Sequence, residues 1–278
     1  MTGALELTKH HGLGNDFLVA FVEAVPDGGA ALARRLCDRY SGIGGDGLIL
    51  ATPGRHDGEV GFVLFNRDGS QAEVSGNGLR CLGQALARSR GVDSLDVVAA
   101  TAAGPRRVVI EADARAVTVA ASVEMGTAAP GVQVPDDLVD RLADTGRALG
   151  GLAELRRCRS VDLGNPHVVF DAAQLGAVQI DRFGPAVEAL LGPINVEVIH
   201  VNDRTRLDMH VWERGAGLTQ ACGSGACASA YVAHRWGLVD ERVEVTMPGG
   251  VACVDLGGEQ LVLTGPATYI GRVEVPRG

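Results

Sequence analysis

The sequence predicts an α/β (α+β) protein of two pseudo-symmetric half-domains, each with a mostly antiparallel sheet and one apolar helix. Three observations predict this class. Short segments of alternating apolar and polar residues recur along the 278-residue chain, which is typical of half-buried strands. Two helical segments are rich in small and apolar residues and carry few charges near their starts. The residues around these two helices repeat in the same order.

The strand prediction depends on alternation, which places every second side chain on one face of a sheet. It is clearest in Gly61–Phe65, Ala116–Ala120 and Leu207–Trp212. A last strand is expected over Tyr269–Val275, and it can belong to either half.

The helix prediction starts from Gly78–Arg90 and Gly225–Trp236, each of which is followed by glycine as a stop signal. A helix with few charges near its start is expected to be buried within a sheet or barrel rather than to lie on a surface. Two further helices are expected over Gly29–Tyr40 and 136–149.

An internal repeat appears when Ser75 is aligned with Cys222. Asn66 then corresponds to Glu213, and a Gly-x-Gly sequence follows both reference residues. Each half therefore contains a strand, a polar turn, a small polar residue, Gly-x-Gly and an apolar helix, which indicates a duplication. The predicted halves are 1–124 plus 266–278, and 125–265.

Composition excludes several classes of function. The net charge is −9 and no basic cluster is present, which is poorly suited to nucleic acid or an anionic membrane surface. Lys9 is the only lysine, and its expected place in a strand beside the N-terminus argues against Schiff-base chemistry. No signal peptide or transmembrane segment of ~18 apolar residues is visible. The six scattered cysteines lack metal-ligand spacing, so a cytoplasmic protein with reduced thiols and no metal is expected.

The two turns can support acid–base chemistry on a small amino acid bound between the halves. A Gly-x-Gly sequence at a helix start presents unpaired backbone N–H groups and the positive end of the helix dipole. Two such starts suit a substrate α-carboxylate. The same field is expected to lower the pKa of Cys222 and to make its thiolate available as a base.

Three other polar segments are candidates for the same site. Glu213 and Arg214 lie at a strand end shortly before Cys222, and Asn165 and His167 flank a proline-fixed turn. A glycine-lined polar turn spans 11–16. The glycine-rich segments match neither a P-loop nor the dinucleotide fingerprint after a strand, so ATP and NAD sites are not supported.

These residues belong to motifs that resemble the diaminopimelate epimerases over nearly the whole chain. The matching segments are HGLGNDF (11–17), FNRDGSQAEVSGNGLRC (65–81), GNPHVVF (164–170), NVEVI (195–199) and ERGAGLTQACGSGACAS (213–229). The resemblance implies a cofactor-independent enzyme that interconverts LL- and meso-diaminopimelate. It also implies that each half is a sheet wrapped around a central helix, and that the protein forms a homodimer.

The resemblance implies roles for individual residues. Cys222 matches one of two catalytic thiols that act on opposite faces of the substrate α-carbon, and His167 and Glu213 match residues that assist the thiols. The positions that match substrate-holding residues of the family are Asn15, Asn66, Gly76, Asn77, Asn165, Asn195, Glu213, Arg214, Gly223 and Ser224.

Ser75 departs from the family, which has cysteine there. A serine hydroxyl is far harder to deprotonate than a thiol, so two-thiol chemistry cannot run unchanged. Three explanations stay open: an engineered variant that traps an inactive state, a natural branch in which Ser75 relays the proton with a bound water, or a one-base reaction on a related amino acid with Cys222 as the only base.

Two other functions compete with epimerisation of diaminopimelate. One is a different cofactor-independent amino-acid racemase, dehydratase or isomerase of the same fold. The other is an amino-acid-binding protein without catalysis. Asn165, Asn195 and Arg214 favour a substrate with a second amino-acid head group, because a one-headed substrate has little use for them.

Overall fold

The computed structural model describes residues 4–56, 58–145 and 149–276. The chain divides into two units, Met1–Glu124 with Thr264–Gly278 (unit 1) and Met125–Leu263 (unit 2). No helix among the described residues is long and apolar enough to cross a membrane.

Among the described residues, the first segment of unit 1 has eight strands and two α-helices, and most of the last strand of the chain also lies in this unit. The strands are β1 (Leu5–Gly12), β2 (Asn15–Phe21), β3 (Gly47–Pro53), β4 (Glu59–Asn66), β5 (Gln71–Ala72), β6 (Leu95–Thr101), β7 (Gly104–Ile110) and β8 (Thr118–Gly126), which runs two residues into unit 2. The helices are α1 (Gly29–Cys37) and α2 (Gly76–Arg90).

Unit 2 has a similar set of strands and one α-helix more among its described residues. Its strands are β9 (Ala129–Pro130), β10 (Leu155–Asp162), β11 (Pro166–Ala172), β12 (Asn195–Asp203), β13 (Arg206–Glu213), β14 (Gly217–Leu218), β15 (Arg242–Met247), β16 (Gly250–Asp255) and the start of β17 (Leu261–Val275), whose main part lies in unit 1. Its helices are α3 (Leu138–Asp144), α4 (Ile180–Leu191) and α5 (Gly223–Arg235).

The two units share one strand topology. In unit 1, β1–β2, β3–β4 and β6–β7 pair antiparallel, whereas β2–β3 and β4–β6 pair parallel. In unit 2, β10–β11, β12–β13 and β15–β16 pair antiparallel, whereas β11–β12 and β13–β15 pair parallel. The predicted α/β fold of pseudo-symmetric, mostly antiparallel halves is confirmed.

Each unit surrounds one central helix, as predicted. Helix α2 contacts β1, β2, β3, β6 and β7, and every residue from Gly76 to Ala87 is buried. Helix α5 contacts β10, β11, β12, β13, β15 and β16, and its first eight residues are buried. Because the starts of both helices are made of small residues, strands can approach the helix backbone closely.

A second helix covers the other face of each sheet. Helix α1 packs its Leu36 against Leu48 and Leu50 of β3, and α4 packs Phe183 against β12. Leu48 and Leu50 of β3, and Val196 and Val198 of β12, face this second helix. Because side chains alternate along a strand, the residue between each pair points toward the central helix. In β3 this residue is Ile49, and in β12 it is Glu197.

The remaining segments refine the sequence predictions. The helix expected over Gly29–Tyr40 ends at Cys37, because Asp38 is extended and its carboxylate accepts hydrogen bonds from the N–H groups of Tyr40 and Ser41. The helix expected over 136–149 spans Leu138–Asp144, and residues 146–148 lie outside the described residues. The strand expected over Ala116–Ala120 begins at Thr118.

The buried imidazole of His10 makes stability depend on pH. Its Nδ1 lies 2.9 Å from Oε1 of Gln84, and its ring is completely buried. Burial lowers the pKa of His10 from 6.5 to about 4, so the unfolded chain takes up the proton first as the pH falls. We therefore expect His10 to destabilise the fold progressively between pH 6.5 and 4, by up to about 3 kcal/mol.

Urea unfolding of the wild type and His10→Asn between pH 4 and 8 measures this contribution. The variant should lose less free energy of unfolding on acidification than the wild type does. Parallel curves for the two proteins would exclude His10 as the source.

Candidate functional site

Cys222 occupies the N-cap position of helix α5, where it has an extended backbone and is almost fully buried. Its Sγ accepts a hydrogen bond from the N–H of Gly225 at 3.4 Å and lies 3.6 Å from Oγ of Ser224. The sulfur thus fills the position that a serine or aspartate oxygen takes at an ordinary helix start. The turn holds the thiol in one place and gives it two polar neighbours from its own helix.

Glu213 is the acid next to this thiol. It ends β13, accepts a hydrogen bond from Oγ1 of Thr219, and lies close enough for its charge to act on the thiol of Cys222. Burial raises the pKa of Glu213. A carboxyl group with a raised pKa beside a thiol can exchange a proton with it at neutral pH.

The pKa predicted for Cys222 is wrong in direction. Burial raises the pKa of this thiol well above its usual value, and the negative charges of Glu213 and Glu197 raise it further. The hydrogen bonds from Ser224 and Gly225 lower it by less. The positive end of the helix dipole favours a lower pKa, but the loss of hydration and the two carboxylates raise the pKa by more. Cys222 is therefore a protonated thiol in the resting protein and depends on a neighbouring base to become a thiolate.

His167 and Glu197 form a buried pair under the same turn. Nδ1 of His167 lies 2.7 Å from Oε1 of Glu197, and neither side chain is exposed. Nε2 of His167 lies 3.0 Å from Oδ1 of Asn165, whose Nδ2 donates to Oγ of Ser224 at 3.3 Å. A continuous chain of hydrogen-bonding groups therefore connects Glu197 with the Cys222 turn.

Asn195 and Arg214 border this cluster. Nδ2 of Asn195 donates to the carbonyl of Pro166 at 2.9 Å, and its Oδ1 accepts from the backbone N–H of Arg214 at 3.0 Å. Unit 2 thus brings together its predicted site residues, namely Asn165, His167, Asn195, Glu213, Arg214, Cys222, Gly223 and Ser224.

Ser75 occupies the equivalent N-cap position of α2 in unit 1. Its Oγ accepts from the N–H of Gly78 at 3.0 Å, as Sγ of Cys222 does from Gly225. Phe17 lies opposite Gly47 in unit 1, as His167 lies opposite Asn195 in unit 2, so Phe17 corresponds to His167. Ile49 and Glu197 each come two residues after these partners, so Ile49 corresponds to Glu197. Unit 1 thus supplies apolar residues where unit 2 supplies an acid–base pair.

Cys81 does not replace the missing thiol. It is completely buried inside α2, and burial raises its pKa to about 12.

Amides surround the Ser75 turn. Nδ2 of Asn77 donates to Oδ1 of Asn15 at 3.1 Å, and Nδ2 of Asn15 donates to Asp46 at 2.9 Å. Arg39 contacts Asp46 at 2.8 Å, and Arg80 donates to Oδ1 of Asn77 at 2.7 Å. The predicted residues Asn15, Gly76 and Asn77 therefore lie together with Ser75. Asn66 ends β4, as Glu213 ends β13, and its Nδ2 donates to Ser70 at 3.0 Å.

Sequence reasoning did not single out Glu197 and Asp46. Glu197 had a detectable signal, since it is the one charged residue in the apolar run NVEVI, where a buried charge needs an explanation. Asp46 lies in a glycine-rich loop and had no comparable signal.

Gly225 and Gly78 form a matched pair that tests how tightly each turn is built. A Cβ at either glycine would lie 3.2 Å from its N-cap residue, Cys222 or Ser75. The Cβ at Gly225 would also lie 2.8 Å from Oε1 of Glu197, whereas the Cβ at Gly78 would lie 3.4 Å from Cδ1 of Ile49. Gly225→Ala should destabilise the protein by about 1–3 kcal/mol, because the buried carboxylate must move. In Gly78→Ala, a gain in helix propensity of about 1 kcal/mol offsets the milder crowding.

Urea unfolding of both glycine variants checks this ranking. Equal midpoints would show that Glu197 can move away from the turn without cost.

Comparison with known proteins places this fold and site in a class. A solved structure titled as a predicted epimerase from Pseudomonas aeruginosa has a TM-score of 0.79 at 18% identity, with 99% of this chain and 100% of that chain covered. A probable proline racemase from Agrobacterium radiobacter has a TM-score of 0.73 at 18% identity, covering 99% of this chain and 93% of that chain. Two relatives with 38–40% identity over 96% of this chain are both named as epimerases, so the protein is an isomerase of the epimerase class.

The family is narrower. The sequence profile described as diaminopimelate epimerase matches residues 7–129 and 159–270. The diaminopimelate epimerase of Rhizorhabdus wittichii is 40% identical over 272 residues, which cover 96% of this chain and 93% of that protein. This chain belongs to the diaminopimelate epimerase family.

Proposed function

We propose that this protein interconverts LL- and meso-diaminopimelate without a cofactor, by removing the α-proton and returning a proton to the opposite face. Cys222 acts as one acid/base, and Ser75 takes the place of the second thiol. The observation that carries this proposal is the buried thiol of Cys222, held at the N-cap of a buried helix near the carboxyl group of Glu213. The relative from Rhizorhabdus wittichii, named as a diaminopimelate epimerase, supports the substrate.

On the Cys222 side, the proton moves between carbon and sulfur with help from Glu213. When Cys222 donates to the carbanion, Glu213 resupplies the sulfur. In the reverse direction Glu213 takes the thiol proton first, and the thiolate then removes the α-proton. The raised pKa of Glu213 suits the proton-donating role, since burial favours the neutral form that holds the proton. His167 assists through the hydrogen-bond chain beside the thiol.

On the Ser75 side, we propose that the hydroxyl relays a proton with a bound water. An alkoxide is out of reach at neutral pH, but a hydroxyl can give its proton to carbon while it accepts one from water. The net step consumes one proton from solvent and leaves Ser75 unchanged. Run in reverse, the same relay removes the α-proton of the other isomer.

The remaining predicted residues hold the substrate. Backbone N–H groups at the two helix starts suit the α-carboxylate, whose stabilisation also favours the carbanion. Amide groups supply both donors and acceptors for a zwitterionic head, and Arg214 suits a second carboxylate. The proposed contacts are Asn15, Asn66, Gly76, Asn77, Asn165, Asn195, Glu213, Arg214, Gly223 and Ser224.

Chiral separation of the products formed from LL-diaminopimelate tests the proposal. The purified protein should form the meso isomer and should approach the same mixture from either direction, whereas L-proline should not be racemised. No conversion of either isomer, together with tight binding in calorimetry, would support the binding protein without catalysis. Faster turnover of one-headed amino acids would support another racemase.

We also propose that the protein is a cytoplasmic homodimer, on the strength of its family membership. Light scattering coupled to size-exclusion chromatography should give twice the 28.8 kDa of one chain. A mass of one chain at micromolar concentration would contradict the dimer.

A further inference from the structure

We propose that Glu197 is a positioning residue, which fixes the direction of the hydrogen-bond chain that runs through His167, Asn165 and Ser224 to Cys222. The inference rests on the proposed function only for its effect on turnover. The hydrogen-bond chain itself lies in unit 2 and can be tested without substrate.

The direction of the chain follows from its donors and acceptors. Oδ1 of Asn165 faces Nε2 of His167, and Nδ2 of Asn165 donates to Oγ of Ser224. Because an amide oxygen only accepts, Nε2 of His167 must carry a hydrogen. The Ser224 hydroxyl accepts from Asn165 and can direct its own hydrogen at Sγ of Cys222, 3.6 Å away. When Cys222 is a thiolate, which can only accept, every donor in the chain points toward the sulfur.

Glu197 maintains this direction from the other end. Its Oε1 lies 2.7 Å from Nδ1 of His167, a contact that needs one proton between the two atoms. Since Nε2 carries a hydrogen of its own, the pair in this arrangement holds two protons, either as imidazolium and carboxylate or as imidazole and carboxylic acid. Without a partner at Nδ1, a neutral imidazole can carry its hydrogen on Nδ1 instead. Nε2 then becomes an acceptor, Asn165 has to turn over, and the Ser224 hydrogen is drawn to Asn165 instead of the sulfur.

The cost of this carboxylate argues against a purely structural role. Glu197 is completely buried, and its Oε2 has no hydrogen-bond partner among the described residues. An unsatisfied buried carboxylate oxygen is expensive, and an amide could satisfy Nδ1 with less loss of solvation. At the equivalent position of unit 1 the sheet is completed by Ile49, so the fold itself does not require an acid there.

A pair of variants with equal charge tests the inference. Glu197→Gln and Glu197→Leu both remove the carboxylate, but only glutamine can donate to Nδ1 and keep the hydrogen on Nε2. Glu213, the other acid facing Cys222, is unchanged in both variants, so its effect on the thiol cancels in the comparison. Asp171→Asn, which alters a different buried carboxylate on β11, is the control.

The readout is the pH profile of Cys222 alkylation by iodoacetamide, measured by mass spectrometry of the Cys222 peptide without substrate. The profile of Glu197→Leu should lie at higher pH than that of Glu197→Gln, because Ser224 no longer donates to the thiolate. Asp171→Asn should match the wild type. Coincident profiles for the leucine and glutamine variants would overturn the inference.

Turnover of diaminopimelate provides the second readout. Glu197→Leu should lower kcat by about tenfold or more with a smaller change in KM, and Glu197→Gln should recover most of that loss. Equal losses of kcat would overturn the inference. If the wild type shows no turnover, the proposed function fails, whereas the alkylation profiles still decide the role of Glu197.

A second variant covers the case in which Glu197→Leu does not fold. The double substitution His167→Phe with Glu197→Ile installs the residues that unit 1 uses at these positions and keeps the sheet apolar. Asn165 then lacks its donor, so Cys222 should again alkylate at higher pH than in Glu197→Gln. A profile equal to that of Glu197→Gln would overturn the inference.

Discussion

Replacing Cys222 with alanine should lower the rate of α-proton exchange by about a thousandfold or more, within the range for loss of a general acid–base group. The thiol is the group at this turn that can reach both protonation states with the help of Glu213. Alanine keeps a small side chain at this position and removes the group that exchanges a proton with Glu213. Deuterium uptake from D₂O into diaminopimelate, followed by mass spectrometry, measures the loss.

Cys227→Ala is the matched control for this prediction. Cys227 is a completely buried cysteine on the same helix, one turn and a half beyond Cys222. Its loss should change stability more than exchange. If Cys222→Ala exchanges as fast as Cys227→Ala, Cys222 is not the acid/base.

Replacing Ser75 with cysteine should raise kcat, by on the order of tenfold or more, because a thiol ionises far more readily than a hydroxyl. The N-cap geometry is already suited to sulfur, since Cys222 occupies the equivalent position with the same hydrogen bond to the third residue of its turn. Initial rates from LL- and meso-diaminopimelate measure the change.

Ser75→Ala is the companion variant, since it removes the hydroxyl without supplying a thiol. It should fall below the wild type if Ser75 relays a proton. Wild-type activity in Ser75→Ala would favour a one-base reaction through Cys222, and no gain in Ser75→Cys would show that the second face needs more than a thiol.

The repeated fold could be predicted because its determinants are local. Ser75 and Cys222 each precede Gly-x-Gly and a helix of small or apolar residues, and that order alone predicts a capped, buried helix in each half. Element ends were less predictable. Helix α1 stops at Cys37 because the Asp38 side chain captures two backbone N–H groups, which competes with an otherwise continuous helical pattern.

The electrostatics of the Cys222 turn could not be predicted in the same way. The helix-start field is visible in sequence and favours a thiolate. The burial of the sulfur and the nearby charges of Glu213 and Glu197 depend on β12 and β13, which come from other parts of the chain. Burial and these two charges raise the pKa of Cys222, whereas the helix start alone would lower it. The pairing of Glu197 with His167 likewise depends on strand register, which no local motif specifies.

In the proposed epimerisation, Cys222 and Ser75 move protons on opposite faces of one α-carbon. An incubation of unlabelled LL-diaminopimelate in D₂O tests this when deuterium is measured at early times in the recovered LL isomer and in the meso product. The wild type should place deuterium in the meso product, whereas Cys222→Ala should place none in either pool. Deuterium confined to recovered LL-diaminopimelate, or undiminished exchange in Cys222→Ala, would contradict this mechanism.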